Sequence, residues 1–232
     1  METIEVKDIS SFIENTEFSG GFNSSSLVLY RGQKNKGNLL PSIARIDPTK
    51  NTIKDELKLI DQLKLMGASF INGQDQNDWD LLVLAQHFGL KTRILDWTSN
   101  PLAAMWFACT DKLDGDVYVY SLVADTLLSK NTYNSSIFKQ SKTIAFQPKF
   151  NNQRIIAQHG YFTAHRYSKS SNKFVSLENN QKVKNHLVEY CIPGTSRETM
   201  IESLDLYGVN SKTLFPDLEG LCKYLNWKHK LT

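Results

Sequence analysis

The chain has 232 residues with 27 Lys and Arg against 24 Asp and Glu, a net charge of +3; hydrophobic residues make up 41% and aromatics 11%. That composition excludes a mainly disordered chain and a strongly cationic nucleic-acid binder, and the length is enough to bury a core without disulfide or metal staples. Three cysteines, Cys109, Cys191 and Cys222, lack CxxC spacing and each lies in an apolar run, so they read as small buried hydrophobes.

In chain order, Ile4 to Glu14 reads as a short opening helix with Ile9, Phe12 and Ile13 as its apolar positions. Phe18 to Ser26, rich in Gly and Ser, reads as a loop. Leu27 to Tyr30 is an apolar strand that delivers Arg31-Gly32-Gln33 at its exit, and Asn35 to Thr52, with Pro41 and Pro48, is an irregular excursion. Lys54 to Met66 has helical period, with Leu57, Ile60, Leu63, Leu59 and Met66 forming an apolar face. Asp78 to Phe88 is a helix closed by Gly89 as its cap. Thr92 to Trp97 reads as a strand, and Pro101 to Cys109 as a helix with Pro at its first turn.

Asp116 to Leu122 alternates as a strand should, whereas Lys130 to Phe150 is polar and mixed and reads as an insertion or long loop. Arg154 to Phe162 and Leu187 to Ile192 complete the strands; Arg197 to Tyr207 and Leu218 to Leu225 are helices. Helices and strands do not alternate strictly. The expected fold is therefore α+β, with a mixed or antiparallel central sheet of five or six strands flanked by helices. Residues 1–26 form an N-terminal helix and loop, and 27–228 a single domain. The first 18 residues carry no secretory signal and no run is long enough to span a membrane, so a cytoplasmic protein is expected.

The densest polar stretch runs from Gln86 to Ala108, reading QHFGLKTRILDWTSNPLAAMWFA. Polar groups cost about 1–3 kcal/mol each when buried without partners, so those at a strand end should be paired or functional. Arg31 offers a rigid fork of donors suited to phosphate oxygens, and Gly32 lets a ligand approach the backbone. Asp96 either orients Arg31 or Arg93, pairs structurally, or acts as a base. Trp97 either stacks on a base or nicotinamide or packs in the core, and His87 hydrogen-bonds a ribose or phosphate or simply complements a helix end. The five histidines have no paired metal spacing, and GxSxG, HExxH, Walker and GxGxxG patterns are absent. Lys139, Lys142, Lys149 and Arg154 bracket Phe138, Phe146 and Phe150, which fits either nucleic-acid contact or a solvated insertion.

Tyr30-Arg31-Gly32-Gln33 together with Gln86-His87, Thr92-Arg93 and Asp96-Trp97-Thr98 resembles the FRG domain family. Similarity to that family continues at Arg154-Ile155, Gln158, Gly160 and Phe162, and at Gly208-Val209 and Leu214 to Leu221. A weaker resemblance is to ADP-ribosyltransferases of the arginine, Ser-Thr-Ser, glutamate class. Tyr30-Arg31-Gly32 is similar to their first element, and Thr98-Ser99 followed by Ala104-Met105-Trp106-Phe107-Ala108 to their second. The third departs: Arg154 and Gln158 stand where that class has a glutamate, so Asp96 or Glu189 replaces it, or a nucleotide is bound without being cleaved.

The resemblance implies NAD as substrate and transfer of ADP-ribose to a macromolecule, nucleic acid or protein. It implies a toxin or antiphage-defence effector, with a neutralising partner. The candidate catalytic residues are Arg31, Asp96 and Gln158. The candidate NAD-binding residues are Arg31, Gly32, Gln33, His87, Thr92, Arg93, Trp97, Thr98 and Ser99. The alternatives are a non-catalytic nucleotide- or nucleic-acid-binding module, and a protein-interaction domain whose polar cluster is a structural network.

Overall fold

A computed structural model describes residues 1–20, 26–71, 77–110, 115–129, 132, 135–149 and 152–231. Among them, seven strands form one sheet: β1 (Glu2–Glu5), β9 (Leu187–Ile192), β4 (Val117–Val123), β2 (Val28–Gln33), β3 (Ile94–Thr98), β6 (Gly160–Ala164) and β5 (Ile144–Phe146), in that spatial order. Only β1 and β9 run parallel; every other neighbouring pair is antiparallel. A small hairpin, β7 (Tyr167–Ser168) with β8 (Lys173–Phe174), stands apart. The helices are α1 (Ile9–Gly20), α2 (Ile53–Met66), α3 (Asp78–His87), α4 (Pro101–Cys109), α5 (Gln153–Ala157), α6 (Arg197–Leu206), α7 (Ser211–Leu214) and α8 (Leu218–Lys228). The α+β expectation with a mostly antiparallel sheet holds, with seven strands rather than five or six.

Strand alternation divides the core. On one face, Phe12, Ala104, Met105, Val119, Tyr190 and Leu204 join α1, α4 and α6 to the sheet. Towards β5 on that face, Ile94, Phe146 and Phe162 bury Trp79 and Leu82 of α3 and Ile60 of α2. The opposite face packs Leu29, Leu95, Trp97, Tyr120 and Leu122 under Leu39, Leu177 and Val183 of irregular segments. No helix among the described residues is long and apolar enough to cross a membrane.

Four local expectations are corrected. The opening helix begins at Ile9, because residues 2–5 pair along β9. Helix α1 also runs on through Gly20 where a loop was expected to start at Phe18; residues 21–25 of that loop lie outside the described residues. The polar stretch 130–150 supplies edge strand β5, whose three residues are all buried, although positions 130, 131, 133, 134 and 150 lie outside the described residues. The stretch 154–162 is not one strand: the Asn152 side chain accepts from Arg154 N and starts helix α5, which buries Ile155. Gln158 ends that helix, and His159 turns the chain at φ +49 into β6.

Helix α2 turns part of the expected face inward, burying Ile60 and half-burying Leu59 and Leu63, but it also buries Glu56, while Leu57 and Met66 are exposed. Of the cysteines, only Cys109 is buried; Cys191 is partly covered and Cys222 is exposed.

Candidate functional site

Strands β2 and β3 meet at a single register position, Tyr30 opposite Thr98, and diverge beyond it. Arg31 fills the fork. Its guanidinium donates to the main-chain carbonyl of Asp96 at 2.9 Å, ion-pairs with the Asp96 carboxylate at 2.9 Å and donates through Nε to Gln33 Oε1 at 3.3 Å. Gln33 in turn donates to the carbonyls of Asn35 and Gly37, so it braces both Arg31 and the turn that follows.

Above this fork lies a cleft of about 320 Å³. Its lining includes Tyr30 to Asn35, Arg45, His87, Asp96, Thr98, Phe107, Gln158 and Phe162. Asp96 is the one outward position of β3, flanked by buried Leu95 and Trp97, and 61% of its side chain is open to the cleft. Crowding works against its charge, but Arg31 outweighs that, assisted by hydrogen bonds and Arg45, and holds the carboxyl below its ordinary range. Gln86 Nε2 donates to the other Asp96 oxygen at 3.1 Å, and Gln86 is itself fixed by Thr92 Oγ1 at 2.6 Å.

His87 ends α3 where Gly89, at φ +88, turns the chain. Its Nε2 is buried with no hydrogen-bond partner and its ring meets Phe162 edge-on. Burial lowers its pKa against the opposing pull of Asp96, so the imidazole is neutral at pH 7.

Helix α4 begins directly after β3. Asn100 caps it, accepting from Leu102 N and Ala103 N, and Pro101 opens its first turn. Thr98 Oγ1 accepts from Asn100 N at 2.9 Å, which assigns that hydroxyl to the strand-to-helix turn. Gly32 lets α4 approach: a Cβ there would stand 1.8 Å from the Ala104 carbonyl oxygen. Helix packing alone therefore accounts for that glycine.

The structure brings Arg31, Gly32, Gln33, His87, Asp96, Trp97, Thr98 and Gln158 to one cleft. Thr92, Arg93 and Ser99 do not line it. Thr92 is buried and reaches the site only through Gln86. Arg93 is 1% exposed and makes a two-pronged pair with Glu56, at 2.8 and 2.7 Å, with the Phe138 ring 4.6 Å below. Of the two arginines weighed as partners of Asp96, it is Arg31 that pairs with it. Ser99 N donates to the His159 carbonyl.

Trp97 touches the cleft, yet it is buried and its indole donates to Thr163 Oγ1, which in turn bonds His165. Gln158 donates its amide to the Leu214 carbonyl. Glu189 is fully buried beneath the 34–37 turn, held by Thr3, Lys36 and the Tyr120 hydroxyl, and does not line the cleft. Of the basic stretch, Lys149 pairs with Asp80 and Arg154 with Asp217.

Sequence reasoning missed Arg45, which lies in the irregular excursion, and Gln86, whose place beside His87 was the available signal. Compared with known proteins, residues 26–117 match the FRG domain model, a span from just before β2 to the first residue of β4 that contains Arg31, His87 and Asp96. The expected domain, 27–228, runs past that match, and the blocks around Gln158 and Leu214 lie beyond it. No curated protein and no solved structure matches the chain. Residues 26–117 of the chain thus carry an FRG domain.

Proposed function

We propose that the cleft binds NAD and transfers its ADP-ribosyl group to a macromolecular target. The observation that carries this reading is an ionised carboxylate, Asp96, open to a cleft that two guanidiniums also line. In the reaction the C1′–N bond breaks and its electron pair leaves with neutral nicotinamide. The ribose then carries oxocarbenium charge, and an acceptor oxygen or nitrogen attacks C1′ and releases a proton. Asp96 stabilises the developing cation, Arg31 contacts the diphosphate, and neutral His87 is positioned in the same cleft to take the acceptor's proton. Gln158 contributes a hydrogen bond to a ribose hydroxyl, because an amide cannot act as a base.

Incubating the full chain with NAD labelled in the adenylate moiety, beside cell lysate, RNA or DNA, tests the proposal. The wild type should release nicotinamide and label a macromolecule, and folded Arg31→Ala and Asp96→Asn variants should not. No nicotinamide release from a folded wild type would overturn it. That outcome, combined with a thermal shift by NAD, would establish the second reading, a module that binds nucleotide without turnover. Both Asp96 oxygens already accept hydrogen bonds, from Arg31 and Gln86, and this favours that alternative.

A further inference from the structure

The segment that leaves β2 is firmly anchored. Asn38 N and Leu39 N donate to the Glu178 carboxylate at 2.8 and 3.1 Å, and Gly37 N donates to the Tyr120 hydroxyl at 2.6 Å. Further on, Ile43 N donates to the Thr92 carbonyl, and Thr92 N to Ser42 Oγ at 3.1 Å, which ties the segment to the entry of β3. Arg45 follows directly. Its Nε donates to the Leu40 carbonyl at 3.0 Å, fixing the plane of the guanidinium while the residue lines the cleft.

Arg45 has no carboxylate within ion-pair distance among the described residues, since the near one, Asp96, already engages Arg31 and Gln86. Arg31 and Arg45 are like charges lining one concavity, an arrangement that favours an anion between them. Partial burial and repulsion from Arg31 lower the Arg45 pKa, against the attraction of Asp96.

We propose that Arg45 is the second arm of a two-guanidinium clamp for a diphosphate, with Arg31 as the first. The clamp rests on the nucleotide reading above and narrows it to ligands carrying two linked phosphates. A planar fork meets two oxygens of one phosphate, so two forks, one on strand β2 and one on the irregular segment that follows it, suit two phosphorus centres better than one. A ligand without phosphate gains nothing from Arg45.

Titration calorimetry of the full chain with inorganic pyrophosphate, orthophosphate, ADP-ribose and adenosine tests this. Arg45→Ala should weaken pyrophosphate and ADP-ribose by at least about tenfold, since a charge-assisted hydrogen bond is worth more than one decade of affinity. Arg45→Lys should recover part of the loss, because the ammonium restores charge but not the fork. Adenosine affinity should stay at the wild-type value, and loss of the hydrogen bond to the Leu40 carbonyl should lower the melting temperature without ligand only slightly.

Unchanged ADP-ribose binding in Arg45→Ala would overturn the clamp. An equal loss for adenosine, or a wild type that does not bind pyrophosphate, would do the same. Binding of ADP-ribose that depends on Arg45, with no nicotinamide release from NAD, would sink the transferase reading and leave the clamp standing. Nicotinamide release whose KM is indifferent to Arg45→Ala would do the reverse.

Discussion

Replacing Glu56 by Ala would leave the Arg93 guanidinium buried without its counter-charge. Both side chains are almost wholly enclosed, Arg93 at 1% and Glu56 at 2% exposure, and their two hydrogen bonds of 2.8 and 2.7 Å are supplemented by one from Thr52 at 2.6 Å. Water cannot reach the orphaned group, so the loss is the full penalty of breaking a buried pair, about 3–5 kcal/mol. For a chain of this length one kcal/mol corresponds to roughly 2–4 °C, and the melting temperature should fall by about 6–20 °C. Urea unfolding followed by tryptophan fluorescence measures the same loss as a midpoint shift at constant slope. The double variant Glu56→Leu with Arg93→Met should recover most of the stability, because an apolar pair of similar volume avoids the desolvation cost. Neither residue lines the cleft, so the folded Glu56→Ala fraction should bind ADP-ribose with the affinity of the wild type. A stability loss below about 1 kcal/mol would refute the assignment of Arg93 to the core, and so would a selective loss of ligand binding.

Gly32→Ala should destabilise the protein by more than the roughly 1–3 kcal/mol of ordinary overpacking, because the added carbon would overlap the Ala104 carbonyl at 1.8 Å. A melting temperature within a degree or two of the wild type would contradict the close β2–α4 approach. His165 is buried, and burial lowers its pKa from 6.5 to about 3, with Arg31 and Arg93 acting in the same direction. The unfolded chain therefore binds more protons than the folded one between those values. Stability is fully present above pH 6.5 and is lost as pH falls towards 3, by up to about 1.4 kcal/mol per pH unit. Urea midpoints at several pH values from 7 down to 4.5 should fall less steeply for His165→Gln, with the residual slope coming in part from His87, whose pKa is also lowered. Identical slopes would remove His165 from the account.

The parts of the fold that were legible in the sequence are those set by local chemistry. Pro101 with its apolar run announced α4, Gly89 announced the end of α3, and the apolar run before Arg31 announced β2. Strands β1 and β5 were not legible, because four-residue and three-residue segments become strands only when β9 and β6 accept them. Ile155-Ile156 suggested a strand, but the Asn152 cap committed the chain to a helical turn. At the site, Arg31, Asp96 and His87 stood out as polar groups where the chain should be apolar. Arg93 looked the same, and only its contact with Glu56, 37 positions earlier, shows that it serves the core. Arg45 carried no local mark, since an arginine in an irregular polar segment resembles any solvated cation.

The single pairing of Tyr30 with Thr98 divides the sheet into two ladders, β1-β9-β4-β2 and β3-β6-β5. Continuous backbone bonding makes each ladder stiff, but across the seam the restraints include the Arg31 side chain, the packing of α4, which contacts both β2 and β3, and the apolar cluster of Leu29, Leu95 and Trp97 on the opposite face. Arg31, the first arm of the proposed clamp, is thus also a fastener of its scaffold. A ligand that draws the Arg31 fork away from the Asp96 carbonyl exchanges one fastening for another. Occupancy of the cleft and mechanical cohesion of the sheet are consequently coupled quantities, and amide exchange along β3 should report a ligand that touches no amide there.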